Sequence, residues 1–186
     1  MATNKYLFID SQFVQDYSII ELNVESKYIT ASILNAQEDY IEPLLGSQLY
    51  RDIINQLSAS TVSSDNQVLL DDYIKNCLAA YSVYKLGMGL SKKWTNSGVM
   101  ITKTVEQEAA SQKDLNQDRQ ELLDSASIRA ERLTKFLLAH PNEYPLYFQN
   151  TSIDDVQPLL DNQGSSGIYF PNKFNTHRKI GFDKPL

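Results

Sequence analysis

The amino-acid sequence predicts an all-α protein, a helical bundle with a short β-hairpin or extended loop and an extended C-terminal arm. Apolar residues recur at steps of three and four between Phe13 and Leu137, which is the helical period. Residues that favour β-structure are concentrated in one short stretch, Val99–Val105. The 186 residues are 42% hydrophobic, so the chain can bury one compact core.

The first predicted element is a short helix that follows Asp10. Asp10 or Ser11 can cap this helix, because their side-chain oxygens accept hydrogen bonds from the first helical N–H groups. Its apolar residues are Phe13, Val14 and Tyr17.

A longer helix is predicted over residues 24–41, with Asn23 as its N-cap. Pro43 lacks an N–H group and disfavours helical geometry at the preceding residue. We therefore expect the helix to end or kink near Ile41. Ser47 can then cap a further short helix.

The central helix of the bundle is predicted over residues 67–92. It follows a loop rich in Ser, Thr, Asp and Asn, and Asp65 or Asn66 is its expected start. The lone cysteine, Cys77, is expected to be a buried small hydrophobe. The apolar face comprises Leu70, Tyr73, Ile74, Cys77, Tyr81, Tyr84 and Met88.

A long amphipathic helix is predicted over residues 111–139, after the loop or hairpin at Val99–Val105. Ser111 and Asp114 form an approximate capping box at its start, and Pro141 stops it. Its apolar stripe comprises Leu115, Leu122, Ala126, Leu133 and Phe136 or Leu137.

The chain divides into a helical domain over residues 1–150 and an extended arm over residues 151–186. The helical part carries 13 basic and 19 acidic side chains, whereas the arm carries four of each and has no helical period. An aromatic, locally basic arm on an acidic body is suited to docking on a partner. The candidate partner-binding residues are Tyr169, Phe170, Phe174, Arg178, Lys179 and Phe182.

The charge balance excludes two classes of principal partner. The formal net charge is −6, and phosphate backbones and anionic membranes attract basic proteins.

No stretch approaches the roughly 20 apolar residues of a membrane span, and the N-terminus does not resemble a signal peptide. We expect a soluble protein, not exported, in a reducing compartment.

No catalytic, metal or cofactor site is predicted. The sequence has no Gly-rich phosphate loop, no nucleophile elbow and no Cys/His cluster with metal-ligand spacing. His140 lies at a predicted helix C-terminus, where it can contact exposed carbonyls, and His177 lies in the arm. Acidic residues that are adjacent in the sequence point in different directions on a helix, so we expect them to lie on a solvated face. We therefore expect that the protein is not an enzyme.

Two stretches resemble a known family. The helix that carries Ala36-Gln37-Glu38 and Tyr40 ends in the turn Pro43-Leu44-Leu45-Gly46-Ser47-Gln48-Leu49-Tyr50, a P-x-L-G-x-x-L-Y pattern. The turn Thr95–Val99, the long helix and Tyr144-Pro145-Leu146-Tyr147 extend the similarity over about residues 20–150. The chain resembles the head-tail connector (adaptor) proteins of tailed bacteriophages, most of all those of Bacteroidetes and crAss-like phages.

This resemblance implies a structural role in the virion, at the junction of portal and tail, after synthesis in the host bacterial cytoplasm. The subunit would form a ring of about twelve copies under the portal protein and contact further tail or ring proteins. DNA would pass through the channel without specific binding. The resemblance implies no cofactor and no membrane.

A second interpretation is a soluble helical module that binds a peptide or protein, with a regulatory or chaperone-like role. Its groove would be lined by Tyr81, Tyr84 and Trp94.

Overall fold

The structure is a computed structural model that describes residues 6–18, 24–90, 92–95, 98–101, 112–150 and 156–158. These residues are predominantly helical, so the predicted all-α class is confirmed. None of the described helices is long and apolar enough to cross a membrane. The helices, in chain order, are α1 (Ser11–Tyr17), α2 (Ser26–Ala36), α3 (Glu42–Leu45), α4 (Ser47–Ser58), α5 (Ser64–Val68), α6 (Lys75–Leu90) and α7 (Gln112–Ala139).

Three other elements connect or follow these helices. π-Helical segments at Gln37–Ile41 and Leu69–Ile74 join α2 to α3 and α5 to α6, and a 3-10 turn spans Pro145–Phe148. Strands β1 (Lys92–Thr95) and β2 (Gly98–Ile101) pair antiparallel in the described backbone. Of the stretch predicted as a loop or hairpin, residues 102–105 lie outside the described part of the chain.

Helix α6 lies at the centre of the bundle, as predicted, and packs against α1, α2 and α7. Its central position follows from an apolar face wider than a single stripe. Two half-buried tyrosines, Tyr73 and Tyr84, flank that face, whereas the Met88 side chain lies outside the described residues. Fully buried core residues include Ile29 and Ile33 from α2, Ile74 from the second π segment, Leu78 from α6, and Leu133 and Leu137 from α7.

Of the two outcomes expected near Ile41, an end of the second helix is wrong: the helix changes there from π to α geometry and continues. The chain stays helical through Pro43 to Leu45, because the π segment widens the turn just before the proline. The Glu42 N–H donates to the carbonyl of Gln37, five residues back, instead of four. Pro43 then falls in the first turn of α3, where a missing N–H group is tolerated.

Two predicted helix starts are also corrected. Helix α2 begins at Ser26 with Glu25 as its N-cap and no side-chain capping bond, and Asn23 lies outside the described residues. Helix α5 begins at Ser64, because the Ser63 hydroxyl accepts a hydrogen bond from the Asn66 N–H at 3.3 Å.

The Asn66 side chain joins two helices, a role that its prediction as a helix start does not include. It is buried and donates to Gln56 Oε1 at 3.0 Å and Asp52 Oδ2 at 3.2 Å, and so joins α5 to α4. The loop between these helices is thereby closed by side chains from both.

The ends of α1 and α7 agree with the predictions. The Asp10 carboxylate accepts a hydrogen bond from the Phe13 N–H at 2.8 Å and caps α1. Helix α7 ends at Ala139, two residues before Pro141, and its described start at Gln112 leaves Ser111 outside. Ala130 is a core residue of α7 that the predicted stripe omits.

A buried glutamine attaches the N-terminal segment to the bundle. Gln37 is 1% exposed, and its Oε1 accepts a hydrogen bond from the Phe8 N–H at 2.9 Å. Its Nε2 donates to the Tyr6 carbonyl at 2.9 Å and to the Tyr50 hydroxyl at 3.0 Å. The amide therefore holds residues 6–8 against α2 and α4 with every polar atom paired.

We predict that Gln37→Ala lowers the free energy of unfolding by about 2–4 kcal/mol, because the buried Phe8 N–H and Tyr6 carbonyl lose their partner. Chemical denaturation measures this change. The control is Gln120→Ala, which removes an exposed glutamine that bonds Asp124 on its own helix, and should change stability by less than about 0.5 kcal/mol. Equal effects of the two substitutions would refute the proposed role of Gln37.

Candidate partner-binding site

The six predicted partner-binding residues of the arm, Tyr169, Phe170, Phe174, Arg178, Lys179 and Phe182, lie outside the described residues. The structure does describe how the chain returns to the bundle before them, at residues 150 and 156–158. That return forms a compact hydrogen-bonded site at the start of α4, here called the anchor site. It consists of Gly46, Ser47, Gln48, Asn150, Val156 and Gln157.

Ser47 forms hydrogen bonds with both backbone polar groups of Val156. The Ser47 N–H donates to the Val156 carbonyl at 3.1 Å, and the Val156 N–H donates to Ser47 Oγ at 3.0 Å. The Ser47 hydroxyl is directed at Glu42 Oε1, 3.4 Å away. One buried serine thus satisfies both polar groups of a residue 109 positions along the chain.

Asn150 caps α4 from a distant part of the sequence. Its Oδ1 accepts a hydrogen bond from the Gln48 N–H at 3.0 Å, and its Nδ2 donates to the Tyr147 carbonyl at 3.0 Å. The side chain is 4% exposed. The prediction that Ser47 caps α4 is therefore wrong: Ser47 is the first helical residue, and its hydroxyl is engaged with Val156.

Gly46 permits this arrangement for two reasons. Its φ of +74° lies in the region that residues with a Cβ rarely adopt. A Cβ at this position would lie 2.7 Å from Asn150 Nδ2, so any side chain would displace the capping amide. Gln157 completes the site, because its Nε2 donates to the Asn150 carbonyl.

The anchor site holds a chain segment through backbone, hydroxyl and amide groups. Within the described residues, no three His, Cys, Asp or Glu side chains are grouped as metal ligands would be. His140 Nδ1 lies 2.8 Å from the Phe136 carbonyl, which confirms the predicted contact at the end of α7. Burial raises the pKa of the Cys77 thiol to about 12, so Cys77 is the buried small hydrophobe that the sequence predicts.

The acidic pairs are divided between different partners. Asp39 accepts a hydrogen bond from Lys85 at 2.7 Å, and Asp71 pairs with Lys75 at 2.5 Å. The hydrogen bonds from Lys75 and Gln67 hold the pKa of Asp71 below its usual value. Asp154 and Asp155 lie outside the described residues.

A cluster of tyrosines joins the first π segment to α6. The rings of Tyr40 and Tyr81 stack with their centroids 4.1 Å apart, and Tyr84 meets Tyr40 edge-on at 6.4 Å. Lys85 Nζ lies 5.1 Å from the Tyr40 ring. Tyr81 is only 5% exposed, so it does not line an open groove as the peptide-module interpretation required, and the Trp94 side chain lies outside the described residues.

Sequence reasoning missed Asn150, the residue that completes the anchor site. The sequence draws attention to Asn150 as the start of an Asn-Thr-Ser glycosylation sequon. A usable signal lay elsewhere: Gly46 directly before a helical stretch provides no capping side chain, so a distant acceptor was required. The sequence contains 13 asparagines, and nothing in it selects the one at position 150.

We predict that Gly46→Ala and Asn150→Ala are coupled. Asn150→Ala should cost about 1–3 kcal/mol of stability by leaving the Gln48 N–H unpaired, and Gly46→Ala about 2–4 kcal/mol through backbone strain and the clash. The double variant should cost less than the sum by about 1 kcal/mol, because no amide remains to clash. Gly87→Ala, in open space on α6, should be neutral or stabilising. Chemical denaturation of the four variants tests this, and strict additivity contradicts it.

A second prediction concerns alkaline pH. Burial raises the pKa of Tyr81 to about 12 from an ordinary value of 10.0, so the unfolded chain releases this proton first. The stability that Tyr81 contributes is complete below pH 10 and is lost as the pH rises towards 12. Between pH 8 and 12, the free energy of unfolding of Tyr81→Phe should therefore fall by about 2–3 kcal/mol less than that of the wild type. Tyr28→Phe, at an exposed position, is the control, and an identical loss in Tyr81→Phe contradicts the prediction.

Comparison with known proteins places the chain in a family. Searches of curated proteins and of solved structures gave no significant match. The model of DUF6712, described as a family of unknown function, matches residues 41–157. The matched region begins just before the anchor site and ends directly after Val156, so it contains every residue of that site. This chain belongs to the DUF6712 family.

Proposed function

We propose that this protein is a structural virion protein: a head-tail connector ring subunit that docks under the portal and joins head to tail around the DNA channel. The observation that supports this function is the anchor site, in which Ser47 fixes Val156 at the beginning of the proposed arm. A firm attachment at that point would allow the arm to transmit a docking contact to the helical domain.

The residues of the connector-like turn have physical roles that support the proposal. Pro43 lies in the first turn of α3, and Gly46 admits the Asn150 amide. The Tyr50 hydroxyl accepts a hydrogen bond from Gln37, which also holds residues 6–8. The P-x-L-G-x-x-L-Y pattern thus joins the N-terminal segment, the bundle and the start of the arm in one small region.

The proposed arm, residues 151–186, is the docking element. Its aromatic residues would fill apolar pockets on the portal, on a neighbouring copy or on a further tail or ring protein, and its cations would meet acidic surface. About twelve copies in a ring would engage many arms at once, which raises the overall affinity without new contacts in any one arm. The loop or hairpin after α6 is a second element that could reach a neighbouring copy.

The acidic body is compatible with a DNA channel. The net charge of −6 opposes tight binding of phosphates, so DNA could slide past acidic side chains that face the channel. In this proposal the subunit performs no catalysis, needs no cofactor, and resides at the portal-tail junction. The alternative, a peptide- or protein-binding module, has less support because Tyr81 is covered by Tyr40.

We predict that a truncation ending at Asp161 folds but does not assemble. It retains Asn150 and Val156, so its helical circular dichroism and melting temperature should match those of the full chain. It should fail to form a ring or to bind the phage's portal protein, as judged by native mass spectrometry. A full-length Tyr28→Ala variant, altered at an exposed tyrosine of the body, should assemble normally. Unchanged assembly of the truncated chain would refute the role of the arm, and a stable full-length monomer that binds peptide would favour the alternative.

A further inference from the structure

A cleft with a volume of about 220 Å³ is lined by residues of α1, the second π segment, α6 and α7. Its polar and aromatic lining suits a ligand smaller than a folded domain. The lining residues are Tyr17, Asp72, Tyr73, Asn76, Arg129 and Arg132.

Arg129 is held in position on one wall of the cleft. Its Nε donates to the Tyr17 hydroxyl at 2.6 Å, and one terminal nitrogen donates to the Ser125 carbonyl at 2.8 Å. Its guanidinium also lies 5.6 Å from the centre of the Tyr17 ring. Because these contacts already restrict the side chain, little further rotamer entropy is lost when a ligand binds.

Arg132 provides a second cation one turn further along α7. Residues three apart lie on the same helix face, so the two guanidinium groups border the same cleft. Arg132 is exposed, and within the described part of the chain its guanidinium has no hydrogen bond or ion pair. Of the described residues, none holds the Arg132 guanidinium, whereas Arg129 is largely fixed by Tyr17 and Ser125.

The second π segment and α6 contribute one aromatic ring, one amide and one carboxylate to the lining. The Tyr73 ring stacks on Phe136 at 4.2 Å, and the Asn76 amide donates to the Asp72 carbonyl at 3.2 Å, so both are held in place. Asp72 is exposed at the edge of the cleft. The two arginines and one aspartate among the described lining residues sum to a net charge of +1.

We propose that this cleft binds the carboxylate of an Asp or Glu side chain presented by a partner polypeptide. The forked N–H groups of arginine match the two oxygens of a carboxylate, and the tyrosine rings flank the apolar part of the side chain. One carboxylate neutralises the net charge of +1 of the described lining residues, whereas a phosphate dianion would leave excess negative charge beside Asp72. The two arginines repel basic side chains.

This assignment is independent of the ring proposal, because the cleft is complete within one chain. It gives the protein a contact for acidic partners whose described lining residues are different from those of the anchor site. Loss of arm-dependent assembly would leave binding at the cleft unchanged.

The test uses the full-length protein and a small probe, acetyl-Gly-Glu-Gly-amide, with acetyl-Gly-Gln-Gly-amide as the uncharged match. NMR should show saturable shifts of the Arg129 and Arg132 side-chain N–H resonances with the Glu peptide. The Gln peptide should bind at least about fivefold more weakly, since it cannot form charge-assisted hydrogen bonds. Equal shifts with both peptides would overturn the proposal.

Three variants locate the site and define its selectivity. Arg132→Gln should weaken the binding of the Glu peptide at least about fivefold. Lys135→Gln removes an exposed cation of the same helix outside the cleft and should change the affinity for the Glu peptide by less than about twofold. Asp72→Asn should strengthen the binding of inorganic phosphate. Equal effects of the Arg132 and Lys135 changes, or tighter binding of phosphate than of the Glu peptide to the wild type, would overturn the proposal. Circular dichroism establishes that each variant is folded.

Discussion

The arrangement of the helical domain depends on one requirement: helix α4 begins inside the protein, where its first N–H groups need acceptors. Gly46 has no side chain to offer, so the acceptor comes from Asn150, 102 residues away from Gln48. This bond brings the 3-10 turn after α7 against α4 and places Val156 beside Ser47. The path of the chain after the last helix thus follows from the need to cap an early one.

Local pattern and local chemistry were sufficient to predict much of the fold. The apolar period identified α6 as the central helix and α7 as a long amphipathic helix, because burial of a stripe leaves a repeat in the sequence. The Asp10 cap was readable because donor and acceptor are three residues apart. Pro43 was misread, because a widened turn cancels the constraint that proline normally imposes, and no single residue announces such a turn.

The anchor site and the arginine cleft could not be predicted because both depend on contacts between distant residues. Asn150 meets Gln48 across 102 positions, and Arg129 meets Tyr17 across 112. Side chains of this kind carry no periodic signal, and amides and arginines are common on any surface. Gln37 is similar: within helix α2 and its continuation it looks like an ordinary polar residue, yet its amide holds residues 6–8 through three hydrogen bonds.

The π-helical segment Gln37–Ile41 also bears on how relatives of this chain are to be aligned. Each residue of an α-helix advances the direction of its side chain by about 100°, and a π turn accommodates one extra residue. In a relative that lacks this extra residue, Pro43 and Gly46 would keep their positions only if the helix before them were rotated about its axis. The face that carries Gln37 would then turn away from Phe8 and Tyr50. A one-residue gap in this short stretch therefore signals a different attachment of the N-terminal segment, even where every flanking residue is identical.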